Sequence, residues 1–348
     1  MTVRSEIHMK LKKIAALLML IVMALTLSVQ AETVLEPLPM DDLSFGAKPK
    51  DENYIANPAE KVKGQEYITH TAYEDDSISV QIYKGRHADT DYIYAHVKIS
   101  HPSQLRTAPA SITTKGLKNP SFRQGSKTRG RLIADAVNAV VSVNGDFHIK
   151  TDGKATFRMG TQVRNSLDGR YDLLIIDKNG DFSHISGNKD RKNGPLFPLK
   201  ADYTAYYEAN QENMYQVFCF GPVLVENGVS VIDEAYLNKS IGSQNPAQRA
   251  AICQLGPLEY MIVVSYGNQT KGNKGMTIYE FAQVCEMAGR ELNPENGCLL
   301  AFNLDGGNST TLNFKGINDK NRFTYVKVNC PVIERQVSDI IYFATLVK

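Results

Sequence analysis

The chain has five cysteines but no Cys-x-x-Cys pair, no Cys/His metal-ligand spacing, no Walker loop and no Ser-His-Asp order. It also lacks a strong net charge, at +2 overall. These absences argue against a structural zinc site, nucleotide binding through a P-loop, and triad-type peptide hydrolysis. Nucleic-acid binding usually needs a basic patch that neutralises several phosphates, and none is evident. Cys219, Cys253, Cys285, Cys298 and Cys330 all fall in the C-terminal half, mostly in apolar context. They read as buried small hydrophobes, and an odd count leaves at least one thiol without an intramolecular disulfide. Tryptophan is absent against 17 tyrosines, for which we have no functional account.

What is present is the composition of a globular protein, 43% hydrophobic and 22% charged over 348 residues. The long apolar run is N-terminal. Basic residues Lys10, Lys12 and Lys13 precede an apolar stretch from Ile14 to Leu27, and Val29-Gln30-Ala31 gives a small-x-small cleavage pattern. Residues 1–31 therefore read as a signal peptide starting at Met9, too short for a comfortable membrane span. The expected setting is secreted or extracytoplasmic, in the cell envelope, with no stable membrane span after cleavage. Removing 1–31 takes four of 39 basic and one of 37 acidic residues, which leaves a net charge of −1. Residues 32–64, rich in Pro, Asp, Glu and Lys, read as an extended leader, and 65–348 as one domain.

Short alternating runs at Ser77–Tyr83, Asp91–Ser100, Leu173–Asp177, Gln216–Phe220, Val223–Val225, Tyr260–Tyr266, Cys298–Phe302, Tyr325–Val328 and Ile340–Val347 predict strands. Two segments predict helices. Thr128 to Asn138 carries Leu132, Ile133, Ala136 and Val137 on one face. Thr277-Ile278-Tyr279-Glu280 is a capping box, followed by Ile278, Phe281, Ala282 and Cys285 at helical spacing, with Gly289 placed to end the helix. Each helix leads into an apolar strand, and each strand into a polar Gly-containing loop. The expected fold is α+β: a single domain with a curved, mostly antiparallel or mixed β-sheet core and a few helices.

Four loops carry the candidate chemistry. Asn303-Leu304-Asp305-Gly306-Gly307-Asn308-Ser309-Thr310-Thr311 places a carboxylate at a strand end, then two glycines, an amide and hydroxyls. Glycines admit a ligand close to the backbone, and the polar groups suit sugar hydroxyls or phosphate oxygens; a hairpin turn has the same composition. Asn144-Gly145-Asp146-Phe147-His148 also follows an apolar strand. Asn-Gly is a strong hairpin signal, and the chain holds four further Asn-Gly pairs, at 179, 193, 227 and 296. Gly221-Pro222 reads as a rigid corner that is either structural or a pocket floor. Arg249, beside an apolar run, is either ion-paired or aimed at an anion such as phosphate.

In this order, Asn144–His148, Gly221–Gly228, Pro246–Arg249 and Thr277–Thr310 resemble the signposts of the phosphodiester glycosidase family, across roughly 130–312. Asp146 stands where the family commonly has Gly, His148 where an aromatic is usual, and Asn308 where a third Gly is usual. The resemblance implies hydrolysis of an N-acetylglucosaminyl-type sugar-1-phosphodiester in an envelope glycan, with a phosphorylated glycan as partner. On it, Asp305, Arg249 and Asp146 are expected to be catalytic. Asn144, Gly145, Gly221, Gly306, Gly307, Asn308 and Ser309 are expected to hold substrate. No cofactor is required by the sequence, and Ca²⁺ is compatible with carboxylate and Asn oxygens. The competing class is a non-catalytic module that binds an anionic polysaccharide with the same loops.

Overall fold

Alternation of apolar and polar residues at period two dominates this chain, and it builds sheets that bury one or both faces. In a computed structural model, residues 35–39, 46–56, 70–115, 122, 126–146, 155–165, 172–185, 208–233, 244–318, 320, 322–329 and 334–347 are described. The largest sheet has nine strands. Its spatial order is Tyr54–Ala56, His70–Glu74, Ile78–His87, Thr90–Ile99, Glu259–Ser265, Ala250–Gly256, Leu300–Asn303, Val223–Glu226 and Val229–Ser230. A five-stranded sheet runs Phe323–Lys327, Leu312–Ile317, Val141–Asn144, Asp339–Phe343, Leu105–Pro109. A second five-stranded sheet runs Phe182–Ile185, Asp172–Asp177, Met214–Phe220, Ala155–Arg158, Thr161–Asn165. Among the described residues every strand pair is antiparallel, so the α+β reading holds and its mixed-sheet alternative does not arise.

One face of the large sheet packs on both smaller sheets. Val80, Ile82, Ile262 and Phe302 share a core with Val143, Phe314 and Phe343 of one, and with Leu174, Ile176 and Phe218 of the other. The opposite face of the large sheet is covered by the helix Ile278–Leu292, through Phe281, Ala282, Val284, Cys285 and Ala288. The helix Gly130–Ala136 covers the outer face of the sheet containing Val141–Asn144, with Ile133 and Ala134.

The expected strands are present, with shifted ends. Leu105–Pro109, Leu312–Ile317 and the hairpin Ala155–Asn165 lay outside the expected set. Tyr54–Ala56 pairs with His70–Glu74, so part of the segment read as a leader joins the large sheet. The capping box forms as expected: Glu280 N–H donates to Thr277 Oγ1 at 3.2 Å, and Thr277 N–H to Glu280 Oε2 at 2.7 Å. Gly289 does not end the helix, which runs to Leu292. A Cβ there would lie 2.7 Å from that of Cys298, so the glycine permits a close helix–strand approach instead. Leu132, expected on the buried face, is 45% exposed, because the short helix turns Gly130, Ile133 and Ala134 inward, with Val137 buried at its end as expected. Thr128–Arg129 is a strand paired with Gln336–Val337 rather than the start of that helix. Cys219, Cys253, Cys285 and Cys298 are buried; Cys330 and His148 lie outside the described residues, as does the signal segment. No described helix is long and apolar enough to cross a membrane.

Candidate active site

The Asn144 and Asp305 loops leave the ends of two strands in different sheets and meet. Asn144 closes the strand Val141–Asn144, and its side chain joins the loops directly. Its Nδ2 donates to the Asp305 carbonyl at 2.7 Å, and its Oδ1 accepts from Thr311 N–H at 3.0 Å. Asn144 is buried, so this amide stitches the loops together. Neither Asn144 nor Gly145 has a positive φ, so this Asn-Gly pair is not a hairpin turn. By contrast, Asn227 and Gly228, at φ 51° and 77°, turn the hairpin between Val223–Glu226 and Val229–Ser230. A Cβ on Gly145 would collide with the Asp339 carboxylate, so the glycine makes room for a charge of the protein itself.

Under the loops lies a buried cluster of charge. Arg158 Nη2 donates to Asp146 Oδ1 at 3.0 Å, and its Nε to Asp339 Oδ2 at 2.9 Å. The same guanidinium reaches the Phe157 and Val217 carbonyls and stacks 4.1 Å from the Phe218 ring centre. Burial pushes the Arg158 pKa down, but Asp146 and Asp339 outweigh it and the net shift is upward. Asp146 Oδ2 accepts from Cys219 N–H at 2.9 Å, and its side chain is 0% exposed. Asp146, expected to be catalytic, therefore ties Arg158 to the backbone of the second sheet beneath the cleft.

The cleft is lined by Asn144, Gly145, Asp146, Asp305 and Ser309, and by the ribbon that brings in Lys127, Arg335, Gln336, Val337 and Ser338. Asp305 is half-buried and Ser309 is buried, in a 3-10 turn, Gly307–Ser309. Arg335 Nη1 donates to Ser309 Oγ at 3.3 Å. A carboxylate beside a hydroxyl and two cations, on rigid strand ends, is an arrangement that can bind an anion and move a proton at one place. The phosphodiester glycosidase family model matches residues 137–344, more than half of the chain and all of the loops just described except Lys127.

The chain belongs to the phosphodiester glycosidase family. Among solved structures, it is similar to zebrafish N-acetylglucosamine-1-phosphodiester alpha-N-acetylglucosaminidase, a catalytic domain auto-inhibited by its pro-peptide. Identity there is 14%, with 78% of this chain and 84% of that one covered and a TM-score of 0.52, a likeness of fold. A hypothetical protein from Synechocystis is 17% identical over 77% of this chain and 62% of that one, at a TM-score of 0.44. No curated protein matches.

The remaining residues expected from the phosphodiester glycosidase resemblance fall around the cleft rather than in it. The residues on either side of Arg249 bond the Asp305 loop: Leu304 N–H donates to the Ala250 carbonyl and Gly307 N–H to the Gln248 carbonyl, both at 2.8 Å. The Arg249 guanidinium donates to the Met276 and Asn245 carbonyls at 2.9 and 2.8 Å. Burial lowers its pKa to about 10, against the pull of Glu280, so it is charged at neutral pH. Gly306 is required because a Cβ would lie 2.7 Å from the Gln248 carbonyl oxygen, a contact within the protein, not with a ligand. Gly307 has φ 59° and open space around it. Asn308 is exposed, and its Oδ1 accepts from Gln269 Nε2 at 2.9 Å. Gly221, at φ 76°, lies where a Cβ would press on Asp172, and Asn303 Nδ2 donates to its carbonyl at 2.9 Å. The Gly221-Pro222 corner thus carries the chain from one sheet to another. Among the described residues, no three His, Cys, Asp or Glu side chains form a metal-holding group.

Sequence reasoning missed Arg158, Asp339, Lys127 and Arg335. Asp339 heads the apolar run Ile340–Phe343, and Arg158 follows Phe157 in a strand; a charge set in an apolar strand was the available signal. Lys127 and Arg335 carry no local signal.

Proposed function

We propose that this protein hydrolyses a glycosyl-1-phosphodiester of N-acetylglucosaminyl type in an extracytoplasmic or cell-envelope glycan. The observation that carries the reading is the meeting of the Asn144 and Asp305 loops at a single cleft, with Asp305 on its wall. Family membership supports the reaction class, and the N-terminal signal pattern supports the setting.

In this reading Asp305 takes a proton from a water that attacks the sugar C1. The bond between C1 and the phosphate oxygen breaks, and its electron pair leaves on that oxygen. The products are the free sugar and a phosphomonoester. A phosphomonoester has a second pKa near about 6 and leaves readily, so no second carboxylic acid of raised pKa is needed. Asn144 and Asp146 act as positioning residues, one holding the two loops together and the other fixing the floor. Arg249 anchors the strand against which Gly306 and Gly307 lie. Ser309 offers a hydroxyl at the same wall.

The test is release of N-acetylglucosamine from a synthetic α-N-acetylglucosaminyl-1-phosphodiester. Wild type is expected to release sugar and phosphomonoester in equal amounts. Asp305→Asn should lose roughly 10²- to 10⁴-fold in kcat, the scale of a general base. Saturable binding by wild type without any release would instead favour a glycan-binding module. Turnover in excess chelator is expected to be complete; its loss would assign Ca²⁺ or another divalent ion a role.

A further inference from the structure

An anionic substrate calls for exposed cations at the cleft. Its wall carries the Asp305 carboxylate and the Ser309 hydroxyl, and its floor the Arg158 cluster with Asp146 and Asp339. Lys127 and Arg335 are exposed, line the cleft and flank the two-stranded ribbon at its edge. Lys127 precedes Thr128, which pairs with Val337; Arg335 precedes Gln336, which pairs with Arg129. The two cations therefore bracket the ribbon's two rungs.

We infer that Arg335, assisted by Lys127, grips the substrate phosphate, the role that the sequence had pointed to at Arg249. The inference rests on the phosphodiester reading above. Three observations favour Arg335. Its contact with Ser309 Oγ, at 3.3 Å, is long and can be exchanged for a phosphate oxygen at little cost. The neighbouring carboxylate of Glu334 is engaged by Arg131, whose Nε lies 3.1 Å from Oε2, so it is not spent on Arg335. Arg335 is exposed at the cleft, whereas the Arg249 guanidinium is held on two backbone carbonyls and does not line it. A guanidinium suits phosphate because two parallel N–H donors match two oxygens.

The experiment compares wild type, Arg335→Gln, Arg335→Lys and Lys127→Gln in two measurements. The first is steady-state kinetics on the α-N-acetylglucosaminyl-1-phosphodiester, beside a neutral aryl α-N-acetylglucosaminide that has no phosphate. The second is binding of methyl phosphate followed by NMR, which needs no turnover. Arg335→Gln is expected to raise KM for the phosphodiester about 10- to 100-fold, the scale of a lost charged hydrogen-bonded contact. It should leave the aryl glycoside KM within about twofold and weaken methyl phosphate binding by the phosphodiester factor. Arg335→Lys should recover part of the loss, and Lys127→Gln should give a smaller effect of the same kind. Arg335 is exposed, so unchanged thermal unfolding is expected of the variants. Wild-type phosphodiester KM and wild-type methyl phosphate affinity in Arg335→Gln would overturn the inference while leaving the proposed activity standing. Absence of all turnover in wild type would overturn the activity. In that case the methyl phosphate measurement still decides whether Arg335 is an anion site, and no binding by wild type overturns it.

Discussion

Replacing Arg158 with Met should destabilise the protein by removing a cation shared by two buried carboxylates. Met keeps the bulk of the side chain against Phe218 but takes the guanidinium from Asp146 and Asp339 and from the Phe157 and Val217 carbonyls. Breaking a buried ion pair from one side costs about 3–5 kcal/mol, because the remaining charge stays desolvated. Two carboxylates that each lose this partner put the expected loss at about 4 kcal/mol, or a fall in Tm of about 10 °C. The effect should depend on pH. Buried carboxylates that lose a cation hold their protons to higher pH than before, whereas the unfolded chain releases them near the ordinary pKa of about 4. Their contribution to stability is therefore full at low pH and lost as pH rises, so the deficit should shrink between pH 7 and pH 5. Urea unfolding at both values measures it. A loss below about 1 kcal/mol at pH 7, or one independent of pH, would refute the reading of Arg158 as the cation that holds the cleft floor.

Gly306→Ala should push the Asp305 loop away from the Gln248 carbonyl, since a Cβ would lie 2.7 Å from that oxygen. The expected cost is about 1–3 kcal/mol of overpacking strain with at least tenfold loss of kcat/KM; wild-type kinetics would contradict it. His96 is held below its ordinary pKa by burial, which outweighs the Glu259 carboxylate 2.6 Å away. The unfolded chain then takes up a proton near pH 6.5 that the folded chain resists, so stability should fall as pH drops through that value. His96→Gln should flatten the slope between pH 7 and 5, and an unchanged slope would remove His96 as its source.

Local features were legible where the physics is local. The Thr277 box reads directly from residues three apart, and the Asn227-Gly228 turn from a dipeptide. The Asn144 and Asp305 loops stood out as polar residues at the ends of apolar strands, and the structure joins them through one side chain. What could not be read was the reason for each choice. Gly145 and Gly306 serve close packing against Asp339 and Gln248, far away in sequence, and Gly289 against Cys298 across the helix-to-strand turn. The turn between Ile78–His87 and Thr90–Ile99 uses Ala88 and Asp89 at positive φ, so no Asn-Gly pair marked it. Arg158 and Asp339 are 181 residues apart, and no periodicity connects them. Lys127 and Arg335 meet the cleft only because Thr128–Arg129 and Gln336–Val337 pair, each strand being two residues long.

The central claim is that the chain breaks the sugar C1–oxygen bond of a glycosyl phosphodiester. Hydrolysis of the N-acetylglucosaminyl-1-phosphodiester in ¹⁸O-labelled water, with mass analysis of the phosphomonoester, tests it most directly. The account predicts a phosphomonoester without label, because water enters at C1. Label in the phosphomonoester would mean attack at phosphorus and would contradict it.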